Sequence, residues 1–223
     1  MQHTRPERPS PPPAIAALAL AARACTDALA ATPSHDADPA PVHLVLADLD
    51  ALLALVYTIA TKLALALKPA APSYAAAVPL LHDLAERPPA LAHCAGLLRD
   101  HLHGAALTKD VTDRVSDILD GLRALLQTFL NNAARGPQLA GSGAAGEEYL
   151  VRTAALHDRI TDARGPSGIP KDNQAAVYRA WKSDRDSLGD NLQEITRMIT
   201  DAESDHPDDV EIGRASCRER VCT

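Results

Sequence analysis

The sequence predicts an all-α protein, an up-and-down helical bundle of about five to six helices. Three observations predict it. Hydrophobic residues fill 46% of the 223 positions but aromatic ones only 3%, and Ala and Leu dominate. Strands draw on β-branched and aromatic side chains, whereas small and straight aliphatic ones pack between helices. Two long stretches repeat their apolar residues at alternating spacings of 4 and 3, and none alternates with the two-residue period of a strand.

Residues 1–13 form a Pro-rich, polar and therefore disordered leader ending in Ser10-Pro11-Pro12-Pro13. A first helix over about 14–31 follows and stops before Thr32-Pro33-Ser34-His35-Asp36-Ala37-Asp38-Pro39. Arg5 and Arg8 before this Ala-rich run imitate a signal peptide. Ala is a weak hydrophobe, however, and the preceding prolines suit an amphipathic first helix better.

The second helix, about 42–67, carries Val45, Leu49, Leu52, Val56, Ile59 and Leu63 as a seam, with Leu46, Leu53, Ala60 and Leu67 beside it. Lys68-Pro69 ends it, the Lys favourable at the helix C-terminus. Residues 73–102 hold one kinked helix or two short ones, because Pro79 and Pro88-Pro89 remove backbone donors. Leu91, Cys94, Leu98 and Leu102 continue the period. The next helix, about 105–131, repeats the seam with Val111, Val115, Ile118, Leu122, Leu125 and Phe129. Asn131-Asn132 and Gly136-Pro137 stop it.

A Gly-rich loop over 136–146 leads to a helix at about 147–163 with Leu150, Thr153, His157 and Ile160 in register. After Gly165-Pro166-Ser167-Gly168, Asp172 or Asn173 caps a last helix over about 174–203. Val177, Trp181, Leu188, Leu192, Ile195 and Ile199 are its inward face. The predicted bundle thus covers 14–204, and 205–210 is an acidic linker containing Asp205, Asp208 and Asp209.

Composition changes abruptly at Glu211. The string Glu211-Ile212-Gly213-Arg214-Ala215-Ser216-Cys217-Arg218-Glu219-Arg220-Val221-Cys222-Thr223 reads as the in-frame translation of a short-read sequencing adapter. The expectation is that 211–223 is not native and that the natural protein continues past Val210. Without that tail the 22 basic and 29 acidic residues become 19 and 27, and the net charge moves from −7 to −8.

This acidic balance, with a pI near 5.7, argues against a nucleic-acid partner, since phosphate neutralisation needs clustered Lys and Arg. It argues equally against an anionic membrane surface. The longest apolar run, Leu44–Leu67, contains Asp48, Asp50 and Lys62, too charged to span a bilayer. Cys25 and Cys94 have no disulfide or zinc spacing, which suits a reduced compartment.

Three candidate chemistries fall short. Gly141-Ser142-Gly143-Ala144-Ala145-Gly146 has the glycine spacing of a dinucleotide loop but follows a helix rather than a strand. His93, Cys94, Asp100, His101 and His103 are the densest set of metal-ligand types, yet His93 and His101 stand two helical turns apart and His101 and His103 point to different sides. A phosphotransfer histidine would be followed closely by Lys and Gly, and neither His157 nor His101 is. The reading is therefore non-enzymatic, with no catalytic residue, no cofactor and no metal.

Two stretches carry a family likeness: Gly104-Ala105-Ala106-Leu107-Thr108-Lys109-Asp110-Val111, and Ile169-Pro170-Lys171-Asp172-Asn173-Gln174-Ala175-Ala176-Val177 followed by Trp181-Lys182. Together they resemble the N-terminal region of the cyclin-D-binding protein family (GCIP), in a fungal version, over about 42–210. The resemblance implies two bundles of about five helices, related in style to talin and vinculin modules. It also implies a location in cytoplasm and nucleus and a regulatory role in the cell cycle through protein partners, D-type cyclins and helix-loop-helix regulators. The chain ends where the second bundle should begin. The bundle architecture alone would serve equally a talin- or vinculin-like cytoskeletal or adhesion module. The polar flank of the last helix, Arg179, Lys182, Arg185 and Asp186, is the candidate partner-binding rim, with Trp181 expected in the core.

Overall fold

In the computed structural model, residues 13–31, 40–135 and 144–205 are described. The helices are α1 (Pro13–Ala30), α2 (Val42–Ala66), α3 (Tyr74–Ala85), α4 (Arg87–Gly96), the single turn α5 (Asp100–His103), α6 (Ala105–Arg135), α7 (Ala144–Arg164) and α8 (Asn173–Asp205). No strand occurs among the described residues, so the protein is all-α. Residues 1–12 of the leader, the 32–39 linker, 136–143 of the Gly-rich loop, and 206–223 with Cys217 and Cys222 lie outside the described residues; Pro13, 144–146 and Asp205, expected in leader, loop and linker, are helical. The chain forms two units, residues 1–176 and 177–223; α8 gives its first turn to the former.

The first unit is a closed ring of five positions. α1 packs on α6, α6 on α7, α7 on α2, α2 on the α3–α4 pair, and that pair on α1. α3 and α4 act as one broken helix. The break falls at Glu86, just before Pro88-Pro89 at the start of α4, where proline needs no amide partner. Pro79 sits exposed inside α3 without interrupting it, while Ala77, Leu81 and Leu84 bury the opposite face.

α1 buries mostly small residues, Ala14, Ala17, Ala21 and Ala28 with Leu18 and Cys25, which lets its backbone lie close to its neighbours. α6 buries its predicted seam and also Leu107, Leu119 and Leu126, because α1, α4 and α7 touch it from three sides. Each fully buried Leu contributes about 1.5–3 kcal/mol relative to exposure. α1 and α2 are long and apolar enough to cross a membrane by length and composition; here both give a buried face to the bundle core.

Four sequence expectations shift. On α2 the fully buried residue is Leu53, and Leu52 is half-buried. A strict 4–3 repeat has a period of 3.5, whereas the helix turns every 3.6 residues, so the buried face drifts by about 20° per heptad. On α7 the inward residues are Tyr149, Thr153, Leu156, Ile160 and Ala163, while Leu150 is exposed and His157 lies at the edge. Leu102, on the turn α5, is exposed. The largest correction concerns α8: Val177, Trp181, Leu188, Leu192, Ile195 and Ile199 are 49–64% exposed instead of inward. Their helical stripe is real, but the spacing marks one face of the helix without saying what covers it.

Candidate interaction surface

The two stretches that carried the family likeness meet in the first unit. Gly104 ends the α5 turn at φ 92° and ψ 136°, a conformation that L side chains rarely adopt. A Cβ there would lie 2.1 Å from Cγ of Asn173. The missing side chain makes room for Asn173 Oδ1 to accept the Leu107 N–H at 3.1 Å, in the first turn of α6. The neighbouring Asp172 caps its own helix, its Oδ1 accepting the Ala175 N–H at 2.8 Å. Adjacent side chains thus satisfy the orphan amides of two helices. Asp172 is the cap of the last helix, and Asn173 has a tertiary role that its sequence position gives no sign of.

Further tertiary polar contacts join α7 to its neighbours. Arg164 donates to Asp50 through Nε and Nη2 at 2.7 and 3.1 Å, linking α7 to α2. This holds the Asp50 carboxyl below its ordinary range. His157 stacks on Tyr57 with ring centroids 3.9 Å apart and hydrogen-bonds Thr61 Oγ1 at 3.2 Å, so its imidazole is held between helices. Arg159 donates to the Asp117 carbonyl at 2.6 Å, and its guanidinium lies against Gly121.

Of the metal-ligand types, His103 accepts the Arg99 N–H on Nδ1 at 2.9 Å, His93 and His101 are exposed, and Cys94 is buried. No set of three or more His, Cys, Asp or Glu gathers to hold a metal among the described residues. Burial pushes the Cys25 thiol up to about 12. It also raises Cys94, helped by the charge of Asp48.

In the second unit, α8 exposes eight large apolar side chains: Val177, Tyr178, Trp181, Leu188, Leu192, Ile195, Met198 and Ile199. Most fall on one stripe, since steps of 4 and 7 return to the same side of a helix. The four predicted rim residues do not share one place. Lys182, Asp186 and Arg179 lie roughly 100–160° around the helix from Trp181 at about 100° per residue. Arg185 lies beside the stripe, its guanidinium carbon 5.4 Å from the Trp181 ring centroid and its Nε and Nη2 donating to Asp186 at 3.2 and 2.8 Å. Trp181, expected in the core, is 56% exposed and tilted against Tyr178 at 6.2 Å. The exposed stripe was legible as a stripe; its exposure was not, because periodicity marks a face without saying what covers it.

No curated relative and no solved structure matches the chain. The family model described as Grap2 and cyclin-D-interacting, N-terminal, matches residues 48–201, which contain both the Gly104–Asn173 junction and the α8 stripe. The chain belongs to the Grap2 and cyclin-D-interacting family, of which it carries the N-terminal region.

Proposed function

We propose that the chain is a non-catalytic, cell-cycle regulatory interaction module that docks a D-type cyclin or a helix-loop-helix regulator on α8, in the cytoplasm and nucleus. The observation that carries this reading is the α8 surface, where exposed apolar side chains have Arg185 beside them and Arg179, Lys182 and Asp186 further round the same helix. An exposed apolar patch rimmed by charge is the ordinary form of a protein-binding surface. The family name supports cyclin as the partner class.

Titration calorimetry of the purified chain against a purified D-type cyclin and a purified helix-loop-helix regulator tests it. Saturable binding to one of them is expected, weakened about tenfold or more when Lys182 and Arg185 are both changed to Glu. Binding to neither, with co-sedimentation on actin filaments, would move the chain to the cytoskeletal reading.

A further inference from the structure

We propose that the apolar cavity beside the start of α1 is closed by this chain's own proline-rich leader, residues 9–12 lying across it as an extended segment. This contact belongs to the first unit and is independent of the cyclin reading, which rests on α8.

Three elements build the cavity. Pro13 and Ile15 from the first turn of α1, Tyr74 and Val78 from α3, and Ala133 near the end of α6 line a volume of about 430 Å³. None of its described lining residues carries a charge. Tyr74, on its rim, is 38% exposed. Walls of aliphatic and aromatic groups around a volume of this order suit an apolar occupant.

The place where the leader ends selects that occupant. Pro13 is both a wall of the cavity and the first residue of α1, so the segment before it is tethered at the rim. A short tether holds a segment at millimolar effective concentration, and a contact too weak to retain a separate molecule then suffices. Composition agrees, since Pro6, Pro9, Pro11 and Pro12 precede Pro13. Proline-rich segments dock on grooves with aromatic walls, and their fixed φ leaves little backbone freedom to lose on docking. The charged residues of the leader, Arg5, Glu7 and Arg8, all stand before residues 9–12, which leaves the uncharged part beside the uncharged wall.

The start of α3 supplies the polar half of the match. Ser73 occupies its N-cap position without a side-chain hydrogen bond to the helix, so the leading amides of α3 lack a side-chain acceptor. A proline segment presents carbonyl acceptors and, at each proline, no N–H that needs a partner of its own. One extended segment can therefore set its rings against Tyr74 and its carbonyls toward the first turn of α3.

Photo-cross-linking of the full chain, with p-benzoylphenylalanine in place of Tyr74, tests this. Irradiation followed by peptide mass spectrometry should place the cross-link on residues 9–12 of the same molecule, with a yield that is the same at low and high protein concentration. Pro9→Gly with Pro11→Gly and Pro12→Gly should lower that yield about tenfold or more, because the leader then loses more freedom on docking. In the chain that keeps Tyr74, the same three changes should speed amide exchange at residues 74–76. Cross-links that join two molecules and appear only at high concentration would overturn the proposal, the occupant then being another copy. So would cross-links that avoid residues 9–12, or exchange at residues 74–76 that is indifferent to the three prolines. No cyclin is present in these measurements, so their failure leaves the cyclin reading standing.

Discussion

Asn173 Oδ1 accepts the backbone N–H of Leu107 across 66 positions of sequence, and it occupies the space that a side chain on Gly104 would take. This one contact fixes where α6 begins relative to the start of α8. It ties the two stretches that resemble the cyclin-D-binding family into a single structural element. With Asp172 capping its own helix at 2.8 Å, the Asp172-Asn173 pair governs two helix starts at once.

Asn173→Ala should therefore cost about 1–2 kcal/mol, the range for a lost helix cap. Gly104→Ala should cost about 1–3 kcal/mol, since the new Cβ adds backbone strain at φ 92° to the displacement of Asn173. The double variant should cost less than the sum, because both changes remove the same hydrogen bond. Urea unfolding of the four species measures it. Additive costs would show that Gly104 and Asn173 act separately.

Core position decides the second case. Leu122 is fully buried on α6, and its change to Ala should destabilise the protein by about 2–5 kcal/mol. Leu52 is only half-buried, so its truncation should cost well under the Leu122 value, at about 1 kcal/mol. Leu53→Ala should resemble Leu122→Ala. Equal costs at Leu52 and Leu53 would mean that α2 is rotated relative to its neighbours.

The bundle was legible because helix periodicity is local: Val111, Val115, Ile118, Leu122, Leu125 and Phe129 announce the buried face of α6 without reference to anything else. The drift from Leu52 to Leu53 reflects the same local rule applied with a period of 3.5 where 3.6 operates, whereas on α7 the buried set Tyr149, Thr153, Leu156, Ile160 and Ala163 keeps the 4–3 spacing on a neighbouring face. The pairings were not legible. Nothing near Asn173 in sequence points to Leu107, nor near Tyr57 to His157, because such pairs arise from ring order rather than spacing. The apolar stripe on α8 shows the remaining gap. Trp181 and Ile195 have the spacing of core residues, yet they are 56% and 49% exposed, because spacing marks a face of a helix without saying what covers it.

Thiol chemistry probes the interior independently. Cys25 lies at 0% exposure between α1 and its neighbours, with its ionisation pushed up to about 12, so almost no reactive thiolate exists at pH 8. Iodoacetamide at pH 8 should leave the Cys25 peptide unmodified in the native protein and alkylate it in urea, as read by peptide mass spectrometry. Cys94, also buried and raised, should behave alike. Native labelling at Cys25 as fast as in urea would contradict the packing of α1.

The Asp50–Arg164 pair makes the strongest pH prediction. Two hydrogen bonds from the Arg164 guanidinium favour the ionised carboxylate, so the folded-state ionisation of Asp50 lies below its ordinary 3.8. A group depressed in this way binds more protons unfolded than folded, so its contribution is present above the unfolded value and is lost as pH falls through the folded one. The side chains are 38% and 52% exposed, so solvent screens the pair and its worth is about 0.2–1 kcal/mol at neutral pH. Asp50→Asn should therefore lower stability by that amount at pH 7, and the gap to the parent chain should shrink as pH falls below about 4, near the unfolded carboxylate range. High salt should shrink it as well. Urea unfolding of both chains between pH 7 and 3 supplies the measurement. A stability difference that stays constant across that range would show that Asp50 acts through packing and that its charge contributes nothing to joining α2 to α7.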